Sequence, residues 1–206
     1  QNYIITKANR DAIAEAFEIF IGPALRGSEG QFFTPRNVIK LIIELIDPNI
    51  DEYIIDPACG SGGFLIAALE HVWTKLNEKA KNLGWSNETL VSERIRLASK
   101  YIAGIDKDSF LAKVTKAYMA LIGDGRGGIF CENALNPPSE WSHKTRDKIK
   151  LGTFDVVVTN PPFGAKIAVK GEGEGEEILK QYDLAHKWKY EDSKQIWEKT
   201  NDLWDK

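Results

Sequence analysis

The sequence predicts an α/β fold, a doubly wound and mainly parallel sheet with helices on both faces. Short apolar runs of strand type alternate with segments of helical periodicity, and each predicted strand ends in acidic or amide-bearing residues. No internal repeat competes with this interpretation. The 206 residues suffice for one sizeable domain, and 43% hydrophobic with 28% charged residues is usual for a globular protein.

The first fifty residues are predicted to be helical. Residues 7–21 place apolar side chains at the spacing of one helix face. Thr34 and Pro35 are interpreted as an N-cap and a first helical residue, and Pro48 ends that helix. We therefore interpret residues 1–50 as a helical segment that leads into the next part of the chain.

Residues 51–169 carry the pattern of the sheet and form the predicted core domain. Strands are predicted at 53–56, 101–106, 129–131 and 154–159, and helices at about 64–79, at 88–98 and from Asp108 to Leu121. Val156, Val157, Val158 and Thr159 suit a strand buried between two layers. If the sheet ends at this strand, it also forms an apolar edge that invites pairing or aggregation.

Residues 170–206 are predicted to be a flexible, charged tail. They begin with the charged glycine run GEGEGEE at 171–177 and continue with only weak periodicity. The tryptophans of this tail are interpreted as half-buried anchors rather than as a binding surface.

Composition narrows the class of protein. Cys59 and Cys131 lack metal-type spacing, so we expect neither a disulfide nor a metal site, and a reducing cytoplasm is the expected compartment. No apolar run has the length of a membrane span and no secretory signal opens the sequence. A net charge of -3 argues against strong binding of nucleic acid by this chain alone. A protein of this composition that acts on DNA would need a partner to supply much of the binding to the phosphates.

The predicted strand ends indicate a ligand site, because open α/β sheets bind ligands beyond the carboxyl ends of their strands. Gly60, Gly62 and Gly63 permit a tight turn and close approach of a ligand. The loop lacks the Lys-Ser/Thr ending of a P-loop. Asp106 ends the second strand, and a carboxylate there can accept hydrogen bonds from both hydroxyls of a ribose. Capping of the next helix is the alternative role for Asp106, but Asp108 fits that role better, so the ribose role is favoured.

Three motifs resemble those of a known family. The segment DPACGSGGF at 56–64 resembles the S-adenosylmethionine loop of amino-methyltransferases, and NPPF at 160–163 resembles their catalytic motif. GQFFTPR at 30–36 is similar to the cofactor-clamping segment of adenine-N6 DNA methyltransferases. Together they most resemble the methylation subunit of type I restriction-modification systems, over nearly the whole chain.

The resemblance implies a class I S-adenosylmethionine-dependent methyltransferase (Rossmann-like) fold, incomplete at its C-terminus, and a fragment that is inactive alone. The implied partners are double-stranded DNA, a specificity subunit, a second methylation subunit and a restriction subunit, with no membrane. The family's third strand usually ends in Asp, whereas this sequence has Glu132 and Asn133, and either can contact the cofactor adenine. The cofactor-binding residues expected by this resemblance and by the loop argument are Gln31, Phe32, Phe33, Thr34, Pro35, Arg36, Asp56, Pro57, Ala58, Gly60, Ser61, Gly62, Gly63, Asp106 and Asn133.

The NPPF motif suits transfer of a methyl group to an adenine amine. The Asn160 side-chain carbonyl and the Pro161 backbone carbonyl can accept the two amine hydrogens, and Pro161 and Pro162 fix the direction of the chain. Phe163 offers a face on which a flipped base stacks. A plain strand-ending turn is the structural alternative. Methylation of a protein glutamine or an RNA amine, or a non-catalytic subunit of the same fold, are the functional ones.

Overall fold

The structure is a computed structural model that describes residues 34–122, 128–162, 176 and 179–203. The predicted helix at 7–21 lies outside these residues. The chain divides into two compact units, the first formed by Gln1–Ala134 with Ser142–Ala165 and the second by Leu135–Trp141 with Lys166–Lys206.

The first unit is built on a parallel sheet flanked by helices. Its four strands have the order β3-β2-β1-β4, and all three neighbouring pairs are parallel. The predicted α/β class is therefore confirmed, with helices that extend up to four residues beyond the predicted ends. In chain order the elements are α1 (Arg36–Ile46), β1 (Ile54–Asp56), α2 (Gly63–Leu83), α3 (Asn87–Tyr101), β2 (Ile102–Asp106), α4 (Ser109–Ile122), β3 (Ile129–Cys131), α5 (His143–Lys148) and β4 (Val156–Val157).

The strand order reverses beside β1. The chain builds β2 and then β3 outward on one side of β1, and then returns to place β4 on the other side. Ligands of open parallel sheets bind in the crevice beyond the strand ends at such a reversal. The carboxyl ends of β1 and β4 are thus where this fold positions a site.

Helix α2 supplies much of the core. It presents Leu65, Leu69 and Leu76 to the interior, each at most 1% exposed. Their spacing of four and seven residues places them on one helix face. The helix begins at Gly63, directly after the glycine loop, and ends at Gly84 in the left-handed conformation. Packing of α2 on the sheet therefore fixes where that loop lies.

The start of α1 differs from the prediction. Pro35 is the N-cap residue and the helix begins at Arg36, with no side-chain cap. The backbone carbonyl of Pro35 accepts hydrogen bonds from the N–H groups of Val38 and Ile39. The interpretation of Thr34 as the N-cap is wrong by one residue, and its hydroxyl bonds elsewhere. Asp108 does cap α4 as predicted, accepting from the N–H groups of Phe110 and Leu111 at 2.7 and 3.1 Å.

Strand β4 is an edge strand in the described sheet, as predicted, but it is shorter and less buried than predicted. It covers two residues rather than 154–159, and Val157 is 59% exposed whereas Val158 is 3% exposed. The start of β4 is tied to β1, because Tyr53 N–H donates to the Asp155 carboxylate at 2.8 Å and Asp155 N–H donates to the Tyr53 carbonyl. Val158 N–H then donates to the Ile55 carbonyl at 3.0 Å, which extends the pairing to two residues before Asn160.

The second unit contains an antiparallel hairpin of β5 (His186–Glu191) and β6 (Ile196–Leu203). The rings of Tyr190 and Trp197 lie opposite each other across it, with centroids 5.3 Å apart. Trp188 Nε1 donates to the Asp183 carbonyl at 3.0 Å. The sequence analysis predicted a flexible tail over residues 170–206 and did not predict this hairpin. The alternation HKWKY at 186–190, which has the period of a strand, was the overlooked signal.

Within the described residues, no helix combines the length and the apolar composition needed to span a membrane.

We expect Leu69→Ala to cost about 3–5 kcal/mol of unfolding free energy, because it opens a cavity beneath α2 where the side chain is fully buried. Leu83→Ala is the matched control, since Leu83 lies on the same helix and is 60% exposed. Urea unfolding followed by circular dichroism measures both. Equal losses for the two variants would contradict the described packing of α2.

Candidate functional site

The candidate site lies where β1 and β4 end side by side. The segment Asp56–Gly63 leaves β1 as a glycine-rich loop, and Asn160 follows β4. Val158 N–H donates to the Ile55 carbonyl at 3.0 Å, which ties the end of β1 to the chain just before Asn160. The two motifs that are about a hundred residues apart in the sequence are therefore in contact through their neighbours.

The glycine loop is fastened to β2 and α4. Asp106 Oδ2 accepts from Gly60 N–H at 2.7 Å, and Cys59 N–H donates to the Ile105 carbonyl at 2.9 Å. Thr115 of α4, which is fully buried, donates its hydroxyl to the Gly60 carbonyl at 2.6 Å. These bonds hold the loop backbone from both sides and leave little freedom in its path.

Gly62 is a position that requires glycine. Its φ is +87°, a conformation that side-chain-bearing residues rarely adopt, and a Cβ there would lie 2.7 Å from Thr115 Cγ2. Gly60 also has a positive φ, +52°, but a Cβ on it would meet no atom within 4 Å. The loop therefore needs glycine for conformation at both positions and for space at Gly62.

Asp106 has a second task besides holding the loop. Its Oδ1 accepts from Asp108 N–H at 2.8 Å, so each carboxylate oxygen already receives one backbone hydrogen bond. Burial raises the pKa of Asp106, and the hydrogen bonds from Asp108 and Gly60 oppose that rise. A carboxylate has about four acceptor positions, so capacity remains for further donors.

Asp56 is the most deeply buried carboxyl group of the site, at 1% exposure. Burial raises its pKa to about 6, and the nearby Asp106 charge adds to the rise while hydrogen bonds from Ala58 N–H and Thr159 oppose it. Asp56 Oδ1 accepts from Ala58 N–H at 3.0 Å. In the described structure its hydrogen bond holds the loop backbone at Ala58.

Asn160 is joined directly to Thr34. The Asn160 side-chain Nδ2 donates to Thr34 Oγ1 at 2.8 Å, and both residues are half-buried. This bond brings the segment before α1 against the residue after β4. Pro161 and Pro162 follow Asn160 and are exposed.

The end of β3 distinguishes its two polar residues. Glu132 Oε1 accepts from Ser142 N–H at 2.9 Å and from the Thr145 hydroxyl at 2.8 Å, at the start of α5. Partial burial opposes ionisation of Glu132, but hydrogen bonds from Ser142 and Thr145 prevail and lower its pKa. Glu132 thus serves the start of α5, while Asn133 lies in the loop beyond β3.

The structure places most of the predicted site residues at this end of the sheet. Pro35 and Arg36 start α1, Pro57, Ala58 and Ser61 lie in the loop, and Gly63 starts α2. Gln31, Phe32, Phe33 and Phe163 lie outside the described residues.

Sequence reasoning missed Thr115. Thr115 is a polar residue on the buried face of α4, between Leu111 and Met119, and that position was the available signal. The expectation that Thr159 is buried in a strand is wrong, because it lies beyond the end of β4 and is exposed. Among the described residues no group of three or more His, Cys, Asp or Glu side chains has the arrangement of a metal site. Burial raises the pKa of the Cys59 thiol, which is consistent with packing rather than reactivity.

Comparison with known families accounts for this arrangement. The N-6 DNA methylase family model matches residues 8–201, which is nearly the whole sequence. The chain belongs to the N-6 DNA methylase family.

Curated relatives carry related names. The chain is 35% identical over 143 residues to the type I restriction enzyme EcoEI methylase subunit of Escherichia coli, covering 67% of this chain and 24% of the relative. It is 42% identical over 163 residues to the type I restriction enzyme MjaVIII methylase subunit of Methanocaldococcus jannaschii, covering 77% and 24%. The chain thus spans about a quarter of the length of these N-6 DNA methylase relatives.

A solved structure has the same fold. The crystal structure of a modification subunit ascribed to a type I restriction enzyme of Vibrio vulnificus YJ016 matches with a TM-score of 0.58 and 28% identity, over 86% of this chain and 32% of that chain. The class I methyltransferase fold predicted for this chain is therefore confirmed, because this modification subunit has the same fold.

We expect Gly62→Ala to destabilise the protein more than Gly60→Ala. Both variants force a side chain into the left-handed region at a cost of about 1–2 kcal/mol, and only Gly62→Ala adds a clash with Thr115, worth about 1–3 kcal/mol. Urea unfolding measures the difference. Adding Thr115→Ser, which removes Cγ2 but keeps the hydroxyl bonded to Gly60, is expected to restore part of the loss in Gly62→Ala. Absence of any rescue would contradict the clash.

We expect Asp56 to make stability depend on pH. Its folded pKa of about 6 lies above the ordinary value of 3.8, so the folded state favours the protonated form. Stability from this group is complete below about pH 4 and is lost as the pH rises through 6, by on the order of 3 kcal/mol. Asp56→Asn removes the titration and keeps an oxygen for Ala58 N–H. The advantage of the variant over the wild type in unfolding free energy is expected to grow between pH 4 and pH 7.5, and a constant difference would contradict the raised pKa.

Proposed function

We propose that this chain is the cofactor-binding and catalytic part of a type I modification subunit that methylates N6 of adenine in DNA, using S-adenosylmethionine. The observation that carries the proposal is the meeting of three motifs at the reversal of the sheet. The glycine loop, the Asn160 motif and the segment that contains Thr34 converge there. Membership of the N-6 DNA methylase family and the names of its relatives support the same conclusion.

The residues at the loop suit S-adenosylmethionine. Asp106 retains acceptor capacity for the hydroxyls of a ribose, and it lies against Gly60, where the backbone admits close approach. The start of α2 at Gly63 has no side-chain cap, so its first N–H groups favour an anionic or polar group. Asn133 is the proposed contact for the cofactor adenine, since Glu132 is engaged at the start of α5.

Asn160 and Pro161 are proposed to grip the target amine. The Asn160 amide uses its nitrogen on Thr34, which leaves the carbonyl oxygen as the acceptor for one amine hydrogen. The Pro161 backbone carbonyl accepts the other, and the two prolines restrict its direction. Held in this way, the amine nitrogen directs its lone pair away from the conjugated ring.

The cofactor supplies an electrophilic methyl group bound to sulfonium sulfur. When bound, it would provide the methyl carbon that the amine nitrogen attacks, and sulfur would keep the electron pair of the broken carbon–sulfur bond. The nitrogen then gives up one proton to solvent, along the hydrogen bond to Asn160 or Pro161. No strong base is required of the protein, because the proton leaves an already alkylated nitrogen.

The target base must leave the duplex for this geometry to be reached. We propose that Phe163 stacks on the flipped adenine, a contact worth ~1–3 kcal/mol. With a net charge of -3 this chain offers little phosphate grip of its own. We therefore propose that a specificity subunit supplies sequence recognition, together with a second methylation subunit and, for cleavage, a restriction subunit.

Two variants are expected to separate cofactor binding from chemistry. Asp106→Asn keeps an oxygen for Gly60 N–H but removes the charge, so cofactor affinity is expected to fall roughly tenfold to a hundredfold. Asn160→Ala removes the proposed amine acceptor, so methyl transfer is expected to fall ~100-fold or more with cofactor affinity nearly intact. Calorimetry gives the affinity, and transfer of labelled methyl groups to unmethylated DNA, in the complete methylation subunit with its specificity subunit, gives the rate.

Asp51→Asn is the control for removal of a negative charge, because Asp51 is exposed between α1 and β1. Methyl transfer to a protein glutamine or to RNA in place of DNA would overturn the proposed substrate. Normal turnover by Asn160→Ala would end the proposed role of that residue.

A further inference from the structure

We infer that Thr34 is a positioning residue that sets the orientation of the Asn160 amide, and that it links cofactor binding to the grip on the target base. The inference rests on the proposed function and adds a residue to it. Its basis is the 2.8 Å bond from Asn160 Nδ2 to Thr34 Oγ1, which joins residues 126 positions apart.

The amide of Asn160 has two ends with opposite chemistry. Its nitrogen donates and its carbonyl oxygen accepts, and a half-turn of the side chain exchanges them. Only the orientation with the oxygen toward the target can accept an amine hydrogen. With Nδ2 directed to Thr34 Oγ1, the amide has this productive orientation.

A free threonine hydroxyl would not enforce that orientation, because it can accept from the amide nitrogen or donate to the amide oxygen. The Thr34 hydroxyl enforces the orientation once it donates its own hydrogen bond to another group. Thr34 lies two residues before the start of α1. The first turn of this helix contains no acidic residue, and its N-cap residue Pro35 provides no side-chain cap. The exposed N–H groups of this helix start favour an anion nearby.

The anion in question is the α-carboxylate of the proposed cofactor. When this carboxylate accepts a hydrogen bond from the Thr34 hydroxyl, Thr34 Oγ1 can only accept from Asn160. The amide is then held with its oxygen toward the base. Cofactor binding thereby prepares the amine grip before the base arrives. Thr34 touches the reacting amine only through Asn160, so its effect belongs to positioning rather than to bond making.

The strand end that carries Asn160 has a second tether. Val158 N–H, two residues before Asn160, donates to the Ile55 carbonyl of β1 at 3.0 Å. With the backbone before Asn160 fixed in this way, the orientation of the side-chain amide is the remaining freedom, and Thr34 controls it.

Thr34→Val and Thr34→Ser test the inference, because valine keeps the shape and removes the hydroxyl whereas serine keeps the hydroxyl. In the complete methylation subunit with its specificity subunit, Thr34→Val is expected to lower kcat about 10- to 100-fold even at saturating cofactor. Thr34→Ser is expected to retain kcat within a few-fold of the wild type. Thr153→Val is the control for loss of a threonine hydroxyl, since Thr153 is exposed and bonds only to the nearby Lys150 carbonyl among the contacts described for it.

A second readout involves no turnover. DNA with adenine at the target position is compared with DNA carrying purine, which lacks the amine, by equilibrium binding in the presence of S-adenosylhomocysteine. The wild type and Thr34→Ser are expected to prefer adenine, and Thr34→Val is expected to lose roughly two- to tenfold of that preference. Methylthioadenosine, which lacks the carboxylate, is expected to support less preference than S-adenosylhomocysteine in the wild type.

The outcomes distinguish this inference from the proposed function. If the wild type methylates adenine while Thr34→Val reaches wild-type kcat at saturating cofactor, Thr34 serves cofactor affinity alone and the positioning role is overturned. Equal adenine preference in Thr34→Val and the wild type would overturn it as well. If the wild type binds no cofactor and methylates no DNA, the proposed function itself fails.

Discussion

The candidate site depends above all on the bond from Gly60 N–H to the Asp106 carboxylate. This bond joins the loop after β1 to the end of the adjacent parallel strand, and so converts two strand ends into one surface. It comes with a cost, because burial disfavours the charge of Asp106 and the neighbouring Asp56 is buried further. The backbone N–H groups of Gly60, Ala58 and Asp108 offset that cost by donating to the two carboxyl groups. The loop and the carboxyl groups therefore stabilise each other, because each provides the hydrogen-bond partners that the other needs when buried.

The sheet and its order of elements were accessible from the sequence. Short continuous apolar runs indicated the strands, because a strand covered on both faces is apolar throughout. The helical spacing of apolar residues indicated α2 and α4, because the buried face of a helix repeats with the period of the backbone. Polar residues at strand ends could be assigned to the site because parallel strands bring their carboxyl ends to one edge. The family motifs added roles for Asp106 and Asn160, which local patterns alone leave open.

What the sequence did not provide depends on contacts between distant segments. The bond from Asn160 to Thr34 crosses 126 positions, and no periodicity records it. Thr34 was interpreted as a helix cap because local rules favour threonine there, yet its hydroxyl is bonded to Asn160 instead. Val157 was interpreted as buried from its β-branched character, but burial of a strand residue depends on its place in the strand order. The hairpin at 186–203 was hidden among charged residues, since its two exposed surfaces give only a weak hydrophobic alternation.

The edge position of β4 has a consequence for motion. A strand hydrogen-bonded on one side opens at a lower free energy than one bonded on both, so β4, like β3 at the opposite edge of the described sheet, can detach while β1 and β2 stay paired. Retention of β4 relies on the reciprocal bonds between Tyr53 and Asp155 and on the bond from Asn160 to Thr34. A local opening of this kind would carry Asn160 out of place without melting the core. Slow amide exchange at β1 and β2 beside fast exchange at Val156 and Val158, whose N–H groups donate to the Tyr53 and Ile55 carbonyls, would be its signature. A molecule that holds Thr34 against Asn160 would slow that exchange.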